Sequence, residues 1–276
     1  MTRSVTRAVI DPPLGIQLQA VKPLTPLSRP ALVLAPGMLS DEAVWAPQAE
    51  AFGADFDVRV ARYGEARTLA AMAQALLKQA PARFALAAHS LGGRVAMEAV
   101  RLAPERIAGL CLISADPLPK PAGEAGEAET RGRQGLLALG RAQGMTALAD
   151  RFTPVILHPD SLAKPALAAD VHAMVARQDA EALALQIEAG EGRPDHAEVL
   201  HDLKVPALLI CGAEDSFGRA PLQAAMAALL PGAPLLLIDH CGHLPTLEAP
   251  EAVTQAMRDW LAGIAPEAFR TRAAVC

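Results

Sequence analysis

The stretch Ala85–Met97, ALAAHSLGGRVAM, passes from a continuous apolar run into a helical pattern through one serine bracketed by small residues. A turn this tight between strand and helix forces the serine into a strained backbone, which only small neighbours permit. The turn leaves a hydroxyl exposed at the C-terminal end of a strand, in front of a helix N-terminus whose amides and dipole favour negative charge. Ser90 has Ala88 two residues before it and Gly92 two after, and Gly93 permits close packing of helix on strand. A serine–glycine turn is ordinary by itself, so its meaning depends on what surrounds it.

Outward from this turn the chain alternates strand and helix. Short apolar runs at Ala31–Ala35, Asp57–Ala61, Phe84–Ala88, Gly109–Ile113, Ala207–Cys211 and Pro234–Ile238 are predicted strands. Most are apolar at every position rather than at alternate ones, as strands covered by helices on both faces must be. Between them Thr68–Gln79, Leu91–Arg101, Ala220–Leu230 and Glu251–Leu261 carry helical spacing. This alternation predicts an α/β fold with a mostly parallel central sheet and right-handed crossovers. An alternating stretch at Ile16–Val21 is expected to add an edge strand.

One segment breaks the rhythm. From Pro117 to Lys204 no strand pattern occurs; a Pro/Gly/Glu-rich linker, PLPKPAGEAGEAE, leads into helical patterns. Pro165 suits a first helical turn, with Leu167, Val171, Met174 and Val175 on one face, and Asp179 suits an N-cap. The expected organisation is a core domain over 1–116 and 205–276 with a helical cap inserted at 117–204, roofing the strand ends.

Composition narrows the function. About half of the 276 residues are hydrophobic, the net charge is −5 and aromatic residues make up only 3%. An acidic chain with few aromatics argues against nucleic acid as a partner. The start, MTRSVTRAVIDPP, has no apolar core of a secretory signal, and no run reaches the length of a membrane span. The expected setting is cytoplasmic, with no membrane partner. The four cysteines show no CxxC spacing; Cys111 and Cys211 lie in apolar runs and Cys241 in a loop, all as structural residues. His158, His172, His196 and His201 have no ligand partners at metal-site spacing, so no metal site is expected.

A serine nucleophile needs a base, and the base needs an orienting acid. Asp215 follows the predicted strand in LLICGAEDSFG, and His243 lies in the loop after the last strand in LLLIDHCGHLPTLEAPE. Asp116, after the strand ending at Ile113, is a rival acid, and His240 a rival base. Ser90, Asp215 and His243 each stand at the carboxyl end of a strand, where open α/β sheets bind ligands.

With these motifs in place the chain resembles an α/β-hydrolase with a helical cap, over roughly residues 14–263. AHSLGG, CGAEDSFG and CGHLPTLEAPE are similar to that family's nucleophile, acid and histidine loops, and LAPGMLSDEAVW (34–45) to its oxyanion-hole loop. The sequence departs from the usual G-x-S-x-G by having Ala88, and from the common His-Gly of the oxyanion loop by having Pro36–Gly37. The resemblance implies Ser90 as nucleophile, His243 as base and Asp215 as acid, with the amides of Met38 and Leu91 as oxyanion donors. His89 is then a structural filler, and Trp45 packs beneath the oxyanion loop. The implied reaction is hydrolysis of a small or medium carboxylic ester or lactone through an acyl-enzyme, with no metal or organic cofactor. Carbon–carbon bond hydrolysis, cofactor-free oxygen or peroxide chemistry, and a non-catalytic ligand receptor are the alternatives on the same fold. Scarcity of aromatics suggests an aliphatic-lined pocket. Oligomeric state is not legible.

Overall fold

A computed structural model describes residues 29–218 and 220–270. Its centre is a six-stranded, all-parallel sheet in the order β2-β1-β3-β4-β5-β6. The strands are β1 Ala31–Ala35, β2 Asp57–Val60, β3 Phe84–His89, β4 Ile107–Ile113, β5 Ala207–Gly212 and β6 Leu235–Ile238. Each predicted strand is present with its ends moved by at most two residues. The expected edge strand at Ile16–Val21 lies outside the described residues. Every residue of β1, β3 and β4 is buried, whereas β2 and β6 are only half-buried, which matches their places at the edges.

Helices α1 Ala46–Phe52, α2 Leu69–Gln79, α3 Leu91–Leu102, α10 Ala220–Leu229 and α12 Pro250–Ala262 flank the sheet, and a single turn, α11 Pro245–Glu248, precedes the last. Local chemistry fixes their starts. The Thr68 hydroxyl accepts from the Ala71 amide at the head of α2, and Pro250 opens α12 at a position where its missing N–H costs nothing. The sheet separates two apolar clusters. One gathers Leu86, Val95, Met97 and Leu110 against α2 and α3; the other gathers Leu34, Trp45, Ile113 and Met257 on the opposite face.

Between β4 and β5 every regular element is a helix: α4 Gly123–Gln143, α5 Met145–Ile156, α6 Pro159–Leu162, α7 Pro165–Ala176, α8 Ala180–Glu191 and α9 Ala197–His201. Pro165 opens α7, which buries Val171, Met174 and Val175, and the Asp179 carboxylate accepts from the Glu181 and Ala182 amides at the head of α8. The linker expected through GEAGEAE is different: α4 starts at Gly123, inside it. Glu and Ala are strong helix formers, and Gly126 lets this first turn pack on the Pro121 carbonyl, which a Cβ would approach to 1.9 Å. Leu148, Ile156 and Met174 of this segment belong to the same apolar cluster as Leu34 and Ile113, so its helices are packed on the sheet side of the fold.

Beyond α12 the chain forms a 3-10 turn at Pro266–Phe269. The Phe269 ring meets Phe56 edge-on at 6.4 Å, which ties this turn to the loop before β2.

Candidate active site

Chain order reverses at β1, which has β2 on one side and β3 on the other. The loops leaving the two strands diverge there and open a crevice at their carboxyl ends. Pro36–Leu39 leave β1 and Ser90 leaves β3, so both line it.

Ser90 has φ 53° and ψ −118°, a conformation that side chains rarely adopt and that costs about 1–3 kcal/mol. The turn is held by hydrogen bonds on both sides, Ser90 N–H to the Ile113 carbonyl and Gly93 N–H to the Ser90 carbonyl, each 2.9 Å. The small neighbours have a definite reason. A Cβ on Gly92 would lie 2.3 Å from the Ala35 carbonyl oxygen, and one on Gly37 would lie 2.8 Å from His89 Nδ1. Helix α3 can therefore start directly under the β1 loop. Among the described residues nothing accepts from the Met38 or Leu91 N–H; Leu91 directly follows the serine, and Met38 directly follows Gly37, where an added Cβ would lie 3.0 Å from Ser90 Cβ.

His243 Nε2 lies 2.9 Å from Ser90 Oγ, and His243 Nδ1 lies 2.9 Å from both Asp215 oxygens. The three side chains come from loops after β3, β5 and β6. Burial alone would raise the Asp215 pKa. The charge and hydrogen bond of His243, with the Gly218 and Phe217 amides donating to Oδ1, outweigh it and hold the carboxyl well below its usual range. Asp215 is thus an ionised acceptor that fixes the imidazole with its proton on Nδ1 and its lone pair on Nε2 facing the serine. The rival groups stand elsewhere. Asp116 accepts from Arg94 at 2.7 Å and from the Leu118 amide at 2.8 Å, and His240 is exposed.

Residues beyond these three hold the arrangement. The buried His89 donates from Nε2 to the His243 carbonyl at 2.7 Å, and since a carbonyl only accepts, that nitrogen carries the proton. Burial, reinforced by repulsion from His243, pushes the His89 pKa down to about 3, so the ring is neutral. The Glu248 carboxylate accepts from the Gly242, Leu244 and His158 amides at 3.1, 3.0 and 2.8 Å and so shapes the histidine loop. The buried Tyr63 hydroxyl donates to the Pro36 carbonyl at 2.9 Å, and Gln186 of α8 accepts from the Leu39 amide at 3.1 Å. Trp45 is fully buried just beyond that loop. His89 and Trp45 lie inside the motifs and were expected there as packing residues, and Glu248 lies inside CGHLPTLEAPE; Tyr63 and Gln186 lie far from every motif in sequence and carry no spacing signal. Arg193, near the end of the helical segment, is buried and pairs with Glu129 at 2.7 Å.

On the histidine side the crevice is aromatic. The half-exposed Phe217 ring stands 4.9 Å from His243, with Phe152 of α5 6.4 Å beyond it. The expectation of an aliphatic pocket fails on this wall, because two of the six phenylalanines are spent here.

A hydroxyl, an imidazole and a buried carboxylate in relay, with two free amides beside the hydroxyl, define a site suited to attack on a polarised carbonyl. The chain belongs to the alpha/beta hydrolase family, whose model matches residues 21–256. It is 30% identical over 261 residues to the pimeloyl-[acyl-carrier protein] methyl ester esterase of Aromatoleum aromaticum, spanning 86% of this chain and 100% of that one. Among solved structures it is similar to a thermophilic esterase from Thermogutta terrifontis, with a TM-score of 0.76 and 26% identity over 86% of this chain and 91% of the other. The enol-lactonase from Burkholderia xenovorans shares the fold, with a TM-score of 0.72 and 23% identity over 85% and 92%. No helix among the described residues is long and apolar enough to cross a membrane.

Proposed function

We propose that this protein is a serine esterase that cleaves a small or medium carboxylic ester, open-chain or lactone, through an acyl-enzyme. The observation that carries the reading is the unbroken 2.9 Å relay from Ser90 Oγ through His243 to Asp215, with the Leu91 amide of the serine turn and the Met38 amide of the β1 loop unpaired. The esterases among its relatives support the same chemistry.

In this mechanism His243 Nε2 takes the Ser90 proton as Oγ adds to the ester carbonyl carbon. The carbonyl oxygen becomes an oxyanion bound by the Met38 and Leu91 amides, donors typically worth about 3–4 kcal/mol each to the transition state. The C–O bond to the leaving alkoxide breaks as His243 returns the proton to it. Water, deprotonated by His243, then adds to the acyl-Ser90 carbon; collapse of this second tetrahedral species releases the carboxylic acid and reprotonates Ser90 Oγ. Asp215 stays ionised throughout and balances the imidazolium. The helical segment 117–204 acts as a cap: Gln186 steadies the oxyanion loop, and Phe152, together with Phe217 of the loop after β5, provides an apolar wall next to the leaving group.

The test is hydrolysis of p-nitrophenyl esters from acetate to dodecanoate, and of aliphatic lactones, by the wild type and by Ser90→Ala. The expected result is turnover with a chain-length optimum that falls by at least about a thousandfold in the variant, while its circular dichroism is unchanged. Turnover that survives in folded Ser90→Ala, or wild type inert on every ester and lactone offered, rejects the proposal.

A further inference from the structure

Outside the serine site, the structure brings together three ligand-type side chains from two distant segments. His158 caps the head of α6, its Nδ1 accepting from the Asp160 amide at 3.1 Å. His240 follows β6 in a turn with φ 55°, three residues before His243. Its Nδ1 lies 3.0 Å from Asp160 Oδ2, which in turn lies 3.7 Å from His158 Nδ1. The two imidazoles meet edge-to-face at 5.5 Å, and one ligand atom from each of the three residues lies within 4.8 Å of the others. An exposed His–Asp pair alone is commonplace and worth little. A second imidazole converging on the same carboxylate oxygen is what changes its chemistry.

We propose that His158, Asp160 and His240 form a binding site for a divalent transition-metal ion of the Zn²⁺ type. Two imidazole nitrogens and one carboxylate oxygen are the ligand set such an ion prefers; Mg²⁺ and Ca²⁺ prefer oxygen. Metal–ligand distances of about 2.0–2.2 Å in a tetrahedral site place ligand atoms about 3.3–3.5 Å apart. The 3.0 and 3.7 Å separations from Asp160 Oδ2 straddle that range. His240 and Asp160 are exposed, so the remaining gap closes by rotation of free side chains and water completes the coordination. His158 Nδ1 exchanges the Asp160 amide for the ion.

The location gives the ion a mechanical effect. The Ile156 carbonyl, just before His158, accepts the His243 N–H at 2.8 Å, and the His158 amide shares the Glu248 carboxylate with Gly242 and Leu244. An ion held by His158, Asp160 and His240 fastens the α5–α6 turn to the histidine loop at a second point. Binding therefore stabilises the fold, whatever the fate of the esterase reading.

The experiment is calorimetric titration of the full chain with ZnCl₂ in a non-chelating buffer, with thermal melts in its presence and absence. The variants are His240→Gln, Asp160→Asn, His172→Gln and His243→Ala. His172 pairs with Asp150 at 2.8 Å on the surface, so it controls for a single exposed histidine. The expected result is one Zn²⁺ per chain and a raised Tm, with affinity at least about tenfold weaker in His240→Gln and Asp160→Asn and unchanged in His172→Gln and His243→Ala. The substituted side chains of the first two variants are exposed, and circular dichroism checks that they fold. Absence of binding in the wild type, equal binding in His240→Gln and Asp160→Asn, or loss of binding in His243→Ala overturns the proposal.

Discussion

His89 makes stability depend on pH in a way that one substitution can isolate. Its ring is buried against Gly37 and Ser90, and its pKa falls from an ordinary 6.5 to about 3 on folding. Between those values the unfolded chain binds a proton that the folded chain refuses. The neutral ring's contribution is therefore complete above pH 6.5 and is lost progressively as pH falls towards 3. Integrating between pH 7 and pH 5 gives a loss of about 2 kcal/mol from this residue alone. His89→Gln is the useful perturbation, because its amide still offers an N–H to the His243 carbonyl and carries no basic nitrogen. Urea unfolding of both proteins at pH 7, 6 and 5 is the assay. Other groups contribute the same slope to each protein, so the expected result is a wild-type curve that falls about 2 kcal/mol further than the variant's over this range. Parallel curves would refute the reasoning and mean that the His89 ring takes up a proton in the folded state without penalty.

Three further outcomes follow from the site. Asp215→Asn favours the wrong imidazole tautomer, so kcat on a p-nitrophenyl ester falls by roughly 10⁴-fold while the melting curve stays cooperative; because the Asp215 carboxyl titrates well below its usual range, the acid-side loss of wild-type activity will not follow an ordinary aspartate titration. Gly92→Ala puts a Cβ 2.3 Å from the Ala35 carbonyl oxygen and 2.6 Å from that of Pro36. Both are backbone, so the β1 loop has to move; kcat is expected to fall about 10²–10³-fold with a smaller change in KM, as steady-state kinetics will show. Tyr63→Phe strips the buried Pro36 carbonyl of its donor at a cost of about 1–3 kcal/mol in urea unfolding, with kcat lowered through the same loop.

Strand–helix alternation was legible because strands buried on both faces must be apolar throughout, and each of the six appeared within two residues of its expected ends. The start of α4 was missed because glycines and a glutamate-rich run resemble a linker until Pro121 supplies the surface on which Gly126 packs. The serine turn was legible for a related reason: a backbone at φ 53°, hemmed in by the β1 carbonyls, tolerates so few residue types that its neighbours give it away. Asp215 and His243 showed themselves by standing just past strands.

The sequence by itself determined the sheet, the order of its elements and the three loops that meet at Ser90, since each is written in a few consecutive residues whose backbone needs are local. Only the tertiary structure decided which acid faces His243, that Glu248 shapes its loop, that Tyr63 and Gln186 steady Leu39 and its neighbours, and that His158 and Asp160 meet His240 across 80 residues of chain. Those partnerships join side chains that are free to point in many directions until the loops at the strand ends and the helices from Gly123 to His201 pack together on the sheet. Their geometry is a property of that packing, and no spacing along the chain encodes it.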